Sequence, residues 1–230
     1  VGINQGDYQP VINLIPPTKS QIFVVQSDYN PTKKTEINSE IAISNNDANL
    51  FSNLDDNQNK AVAAKVSWQQ ILIDKKWQLK SNINHEFVQQ NFQSEQGWEP
   101  VEFNRDWNLL TNNATKNFFQ SELSLQNKTD DFVLYRFNSL NYTDIFKGIK
   151  HELQSKLNIK NTSFFMNGSL LENTSILENN SFFRAKVKAE HSLKKVWLGA
   201  FINFETNNRK DINTKQFVNT SHRFKEYEGY

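Results

Sequence analysis

Apolar and polar residues take turns at every second position through most of this chain, and that period of two limits its folding more than any other feature. Ile37, Ser39, Ile41 and Ile43 fall on one face, opposite Glu36, Asn38, Glu40, Ala42 and Ser44. Leu79, Ser81, Ile83, His85 and Phe87 likewise oppose Gln78, Lys80, Asn82, Asn84 and Glu86. Phe119, Ser121, Leu123 and Leu125 oppose Gln120, Glu122, Ser124 and Gln126, and Phe183, Ala185, Val187 and Ala189 oppose Arg184, Lys186, Lys188 and Glu190. In a β-strand, side chains repeat every second residue, so each segment has one apolar and one polar face. On a helix the same spacing would scatter the apolar residues around the axis instead of forming a stripe.

About eleven such segments follow one another, near 20–30, 34–45, 60–73, 77–92, 115–127, 131–143, 149–159, 162–172, 181–192, 195–207 and 214–227. Most reach ten residues or more, whereas soluble sheets favour about 5–6. A tilted strand crossing a bilayer needs about 9–11. The linkers also alternate. Asn30-Pro31-Thr32-Lys33, Asp74-Lys75-Lys76, Asn127-Lys128-Thr129-Asp130, Lys160-Asn161 and Leu193-Lys194 are short, while 46–59, 93–114 and 173–180 are long, 144–148 is intermediate and 207–213 is longer than the short turns. Short and long connections in turn are the pattern of an up-and-down barrel with tight turns on one side and longer loops on the other. The expected fold is therefore all-β: an antiparallel meander over 20–230, forming an outer-membrane β-barrel or a section of one. Residues 1–19, with Pro10, Pro16 and Pro17, read as an extended linker into the first strand.

The short turns share a chemistry of their own. Lys75 and Lys76 precede Trp77, Lys194 and Lys195 precede Trp197, and Tyr29 stands just before the Pro31 turn. Amphipathic aromatics beside cations suit a headgroup boundary, which places the short turns on the inner side of the membrane.

Composition removes several function classes. The net charge is +1 and Lys and Arg are dispersed, so no nucleic-acid surface is expected. There is no cysteine, which excludes disulfides, thiolate zinc sites and cysteine nucleophiles. No apolar run approaches the roughly 18 residues of a membrane-spanning helix. The mean hydropathy of −0.69 would suit a soluble protein, but a barrel that alternates lipid-facing and lumen-facing residues also averages polar. The chain opens at Val1 with no signal-peptide pattern and ends in strand-like sequence at Tyr230, as expected of a mature or truncated piece of a longer protein.

No catalytic, cofactor-binding or metal-ligating residue is expected. His85, His151, His191 and His222 are dispersed without metal-ligand spacing, and no P-loop, GxGxxG or GxSxG motif occurs. The acidic loop from Asn45-Asn46-Asp47 to Asp55-Asp56-Asn57 lacks the Gly and the terminal Glu of a calcium loop and reads as solvated. The Asn-x-Ser/Thr triplets at Asn113, Asn127, Asn161 and Asn219 are what chance gives in a chain so rich in these residues. The densest mixture of charge and aromatics is Trp98-Glu99-Pro100-Val101-Glu102-Phe103-Asn104-Arg105-Asp106-Trp107. It suits a ligand-contacting outer loop, a loop folded into the lumen, or a surface loop ordered by an ion pair of Arg105 with Glu102 or Asp106.

The chain resembles large outer-membrane β-barrel proteins of Gram-negative bacteria, particularly Asn- and Lys-rich surface proteins of poorly characterised role. The residues Gly6-Asp7-Tyr8-Gln9-Pro10-Val11, the Pro16-Pro17 step and Val101-Glu102-Phe103-Asn104-Arg105-Asp106-Trp107 carry the resemblance. Tyr230 matches the aromatic end of such barrels, while Glu228 departs from it. The resemblance implies the cell outer membrane, the lipid bilayer as partner, and a structural or transport role without enzymatic activity. An odd strand count implies an incomplete barrel, whose further partner is the remainder of a larger chain or a partner subunit. Two alternatives remain: a soluble cell-surface β-sheet adhesin or binding module, favoured by the Ser, Asn and His residues on the apolar faces, and an outer-membrane enzyme.

Overall fold

The computed structural model describes residues 15–54, 56–94 and 99–230. The segment 6–11, Asp55 and Trp98 lie outside these residues, as does most of the expected linker, and 15–18 have no regular secondary structure. Eleven strands follow: β1 (Lys19–Thr32), β2 (Thr35–Asp47), β3 (Lys60–Asp74), β4 (Trp77–Val88), β5 (Lys116–Asn127), β6 (Phe132–Tyr142), β7 (Phe146–Ile159), β8 (Thr162–Ser175), β9 (Glu178–Leu193), β10 (Val196–Asp211) and β11 (His222–Gly229). A short helix, α1 (Phe103–Trp107), lies between β4 and β5.

The strands form one sheet in the order β1 to β11, each antiparallel to its predecessor. The all-β, up-and-down reading of the alternation therefore holds. The sheet is open, for the pairing runs from β1 to β11 without joining them. Directly opposed residues trace a path from Val25 through Ile41, Ala64, Phe87, Asn117, Asn141, Lys147, Thr174 and Asn179 to Lys210. The path starts in the middle of β1 and finishes beside the end of β10, which is the stagger of strands tilted in a coiled sheet. The degree of coiling follows from two adjacent residues. The Trp107 ring lies 6.2 Å from that of Phe118 on β5, while the Asn108 side chain bonds Asn207 on β10 at 2.9 Å. In a flat sheet, β5 and β10 would lie about 24 Å apart. The sheet wraps around the described part of the 89–115 loop, residues 89–94 and 99–115, and the face that holds it is the inner face.

Side-chain parity then assigns the faces. Val62, Ala64, Leu123, Phe137, Ile149, Met166, Phe183, Val187 and Ile202 share the outer face with Ile41. Many are well exposed, Ile41 at 54% and Val187 at 41%. The alternate positions carry the ion pairs of the strands, which point inward, while Asn117, Asn141, Lys147, Glu172, Asn179, Asn208 and Lys210 gather polar side chains at one end of the outer face. The polarity is the reverse of a soluble sandwich, where apolar faces meet in the core. Among the described residues the buried aromatic and leucine side chains cluster as Trp107 and the inner-face residues Leu140, Tyr142, Phe146, Leu171 and Phe182 around it, with Ala42, Ala61 and Ala63 buried apart from them.

Some expected boundaries move. The 173–180 stretch, rich in Asn and Ser, read as a long loop. Instead β8 and β9 continue through it and meet at Ile176 and Leu177. The reason is that Asn173 and Asn180 are inner-face strand residues, hydrogen-bonded to one another at 2.8 Å. Likewise β10 runs on to Asp211, and β11 starts at His222 rather than near 214. Asp211 Oδ1 accepts from the backbone N–H groups of Asn213 and Thr214 and stops the strand in an Asx turn. Trp197 has inner-face parity and meets the Tyr230 ring edge-on at 4.9 Å, so of the two Lys-Trp turns only Trp77 has outer-face parity.

Candidate functional site

The inner face beneath the 89–115 loop brings more polar chemistry together than any other part of the described residues. The loop first crosses Ala42, Ser44, Ala61 and Ala63, four small buried side chains on β2 and β3. Gln89 pairs with Val62 in both directions, and Gln93 N–H donates to Ser44 Oγ at 3.4 Å. Larger residues there would hold the loop off the sheet.

Further on, the Phe103 N–H bonds the carbonyl of Pro100 and α1 winds for five residues. It ends at Asn108, whose φ of 51° and ψ of 40° place it in the left-handed region that Asn tolerates. Its amide is buried in a reciprocal pair with Asn207, at 2.9 and 3.0 Å. Trp107 is 3% exposed and meets Phe118 and Phe146 edge-on. Its carbonyl accepts from Asn173 Nδ2 at 2.8 Å. Glycine at 148 leaves room for this packing, because a Cβ there would stand 3.0 Å from the Phe146 ring and 3.1 Å from Trp107 and would push both rings by a few tenths of an ångström.

Around the aromatic centre the cations are matched with anions. Lys116 Nζ lies 2.9 Å from both Glu86 and Glu99 and faces the Phe103 ring at 5.2 Å. The Tyr142 hydroxyl donates to Glu99 at 3.2 Å. Arg136 bridges Glu122 at 2.6 Å and Glu152 at 3.5 Å, and Lys150 sits 3.4 Å from Glu152 while covering the Trp107 ring at 5.1 Å. Asn138 donates to Glu152 and accepts from Gln120, which in turn accepts from Asn84. Arg184 on β9 holds Asp106 of α1 at 2.9 Å. A cavity of about 370 Å³ opens among Lys65, Glu86, Phe103, Trp107, Arg136 and Glu152. A larger recess of about 670 Å³ lies on the outer face between Asn141, Lys147, Glu172, Asn208 and Phe217, without such paired charges.

This arrangement can hold water and small polar solutes in a field of closely alternating charge. It does not align a nucleophile with a base among the described residues. The four histidines are far apart in function: His85, His151 and His191 face outward, and His222 on β11 bonds Glu205 at 2.7 Å. Among the described acidic residues of the 45–57 loop, Asp47 accepts from Asn49 N–H and Asp56 from the Asn59 amide, so both serve local turns. The described part of the Trp98–Trp107 stretch, from Glu99, folds against the inner face of the open sheet, and Arg105 pairs with Glu102 at 3.1 Å in an exposed contact. Asp106 turns away to Arg184.

Sequence reasoning passed over Lys116, Arg136, Lys150 and Glu152. Their signal was present as opposite charges at polar parity on successive strands, but it becomes a network only when register sets Glu122 against Arg136 and Arg136 against Glu152. Comparison of the chain with protein families, curated proteins and solved structures gives no match.

Proposed function

We propose that this chain is a section of an outer-membrane β-barrel with a structural or porin-like transport role, its outer face against the lipid bilayer. The observation that carries this reading is the inverted polarity of the sheet. Apolar side chains line the middle of the exposed outer face, while the ion pairs of the strands are gathered inside. Water would make such a face an aggregation hazard, whereas hydrocarbon makes it a favourable surface. The dimensions agree. On β7 the outer-face positions from Ile149 to Ile159 span ~33 Å of strand, which at a tilt near 40° gives a band about 25 Å tall. The 89–115 loop then narrows the interior, and the paired charges beside it form the polar wall of a passage. The role assigned is passage or scaffold rather than a reaction.

A second reading, a soluble cell-surface adhesin or binding module, draws on the Ser39, Ser81, Ser121 and His85 side chains that interrupt the outer face. Expression with a bacterial export signal, followed by membrane fractionation, separates the two. The barrel reading expects the chain in the outer-membrane fraction, extracted only by detergent and shifting its gel mobility on heating. A chain that stays in solution without detergent and shows no heat-dependent shift would favour the adhesin.

A further inference from the structure

We propose that the open edges at β1 and β11 receive a partner β-segment with an odd number of antiparallel strands, whose strand against β11 carries acidic side chains on its outer face. The proposal rests on the barrel reading and names what completes it. In a strict meander of eleven strands, β1 and β11 run in the same direction. Direct closure would therefore create a parallel pair in a sheet whose ten pairings are all antiparallel. A second copy inserted in the same orientation meets the first β1 to β11, which is again parallel. An inverted copy gives antiparallel edges but sets its long loops beside the short turns. An odd-numbered segment continues the antiparallel ladder at both edges.

The edge strands themselves carry the chemistry of a covered surface. On β11 the outer face holds Arg223 and Lys225, which reach over the Phe204 ring at 5.4 and 5.6 Å. Neither has a carboxylate partner among the described residues. Lys225 stands in line with Phe204, Ala185, Gly168 and Leu153, across the apolar rows of the outer face. A cation facing hydrocarbon there is costly, and an acidic side chain on an adjoining strand removes the cost. In the middle of β1 both faces are apolar, for the inner-face Ile22 and Val24 are exposed at 38% and 46% and the outer-face Phe23 and Val25 at 65% and 52%. An edge strand unpaired among the described residues, with the run Ile22–Val25 apolar on both faces, is a surface built for another strand.

The chain contains no cysteine, so introduced pairs report without background. The full chain, refolded into detergent micelles, is given Phe23→Cys, Val25→Cys or Ser27→Cys together with Arg223→Cys, Lys225→Cys or Tyr227→Cys, and is oxidised. The proposal expects neither an intramolecular disulfide nor a disulfide-linked dimer in any of the nine combinations. Tyr227→Cys alone is then offered a synthetic peptide of residues 196–211 carrying Ile202→Cys and Phe204→Glu, and in parallel one carrying Phe204→Lys. The Glu peptide should cross-link about five-fold more than the Lys peptide, from its charge opposite Lys225. Intramolecular disulfides would establish parallel self-closure, dimers would establish a second copy, and equal cross-linking of the two peptides would remove the acidic partner. Each overturns the proposal, and each does so in a chain that still partitions into membranes. Failure to partition instead overturns the barrel reading itself.

Discussion

Lys116 is the side chain on which the inner face most depends. Its side chain is 7% exposed, held by two carboxylates that are themselves only 21% and 25% exposed. Removing a buried cation leaves its partners uncompensated, which costs more than the pair contributes. Lys116→Met should lower stability by about 3 kcal/mol, read from the shift of the urea midpoint in detergent, while Lys116→Arg should recover most of the loss. A contrasting single residue is Asp131, in the turn between β5 and β6. The Asn127 amide, and after it the backbone N–H of Asn158, hold the Asp131 carboxyl below its ordinary value. Its contribution is complete above the ordinary carboxylate range and fades as the pH falls through the lowered value. Melting curves collected downward from pH 5 should therefore fall more steeply for the native chain than for Asp131→Asn. Parallel slopes for the two would remove Asp131 as a source of acid sensitivity.

At the level of elements, α1 shows how a five-residue helix can be stable in a sheet protein. Alone it is far too short to persist. It is kept by Trp107 in its aromatic pocket, by Asn108 paired to Asn207 and by Asp106 held to Arg184. Trp107→Ala should cost about 3–5 kcal/mol and expose the loop, so that limited proteolysis cuts between Glu99 and Thr115 while the strands stay protected. Gly148→Ala should give a weaker version of the same cutting pattern, since its new methyl group pushes on the same ring. Strands and their order were legible because parity of two is a local property, written out in Ile37 to Ser44 or Phe183 to Glu190. The β8–β9 connection was not, because Asn173 and Asn180 look like turn residues unless a buried amide partner is known. The inner site was legible only as an aromatic, charged loop. Which strand Asp106 would meet depends on how far the sheet coils, and coiling is a sum over many strand pairs rather than a feature of any one.

At the scale of the whole sheet, apolar rows face outward and the strand ion pairs face inward, and one strand is enough to test which medium the outer face meets. Along β9 the neighbours Lys186 and Val187 face opposite ways. Lys186 points inward with its ammonium 5.0 Å from the Phe201 ring, and Val187 points outward between Met166 and Ile202. In a soluble sheet an outward Val is the tolerant position, and arginine there would change stability little. In a bilayer the order reverses. Val187→Arg should cost about 2–4 kcal/mol in folding experiments with phospholipid vesicles, because it lies within the apolar band. Lys186→Gln, on the polar wall, should stay within about 0.5–1 kcal/mol of the native chain, losing a cation–π contact but burying no charge. The ratio between these two neighbouring substitutions is more informative than either alone, since chain, strand and hydrogen-bond ladder are shared and only the facing medium differs. A Val187→Arg protein that folds into vesicles as well as the native chain would place this face in water, and the apolar rows from Ile41 to Ile202 would then need a protein partner rather than lipid to cover them.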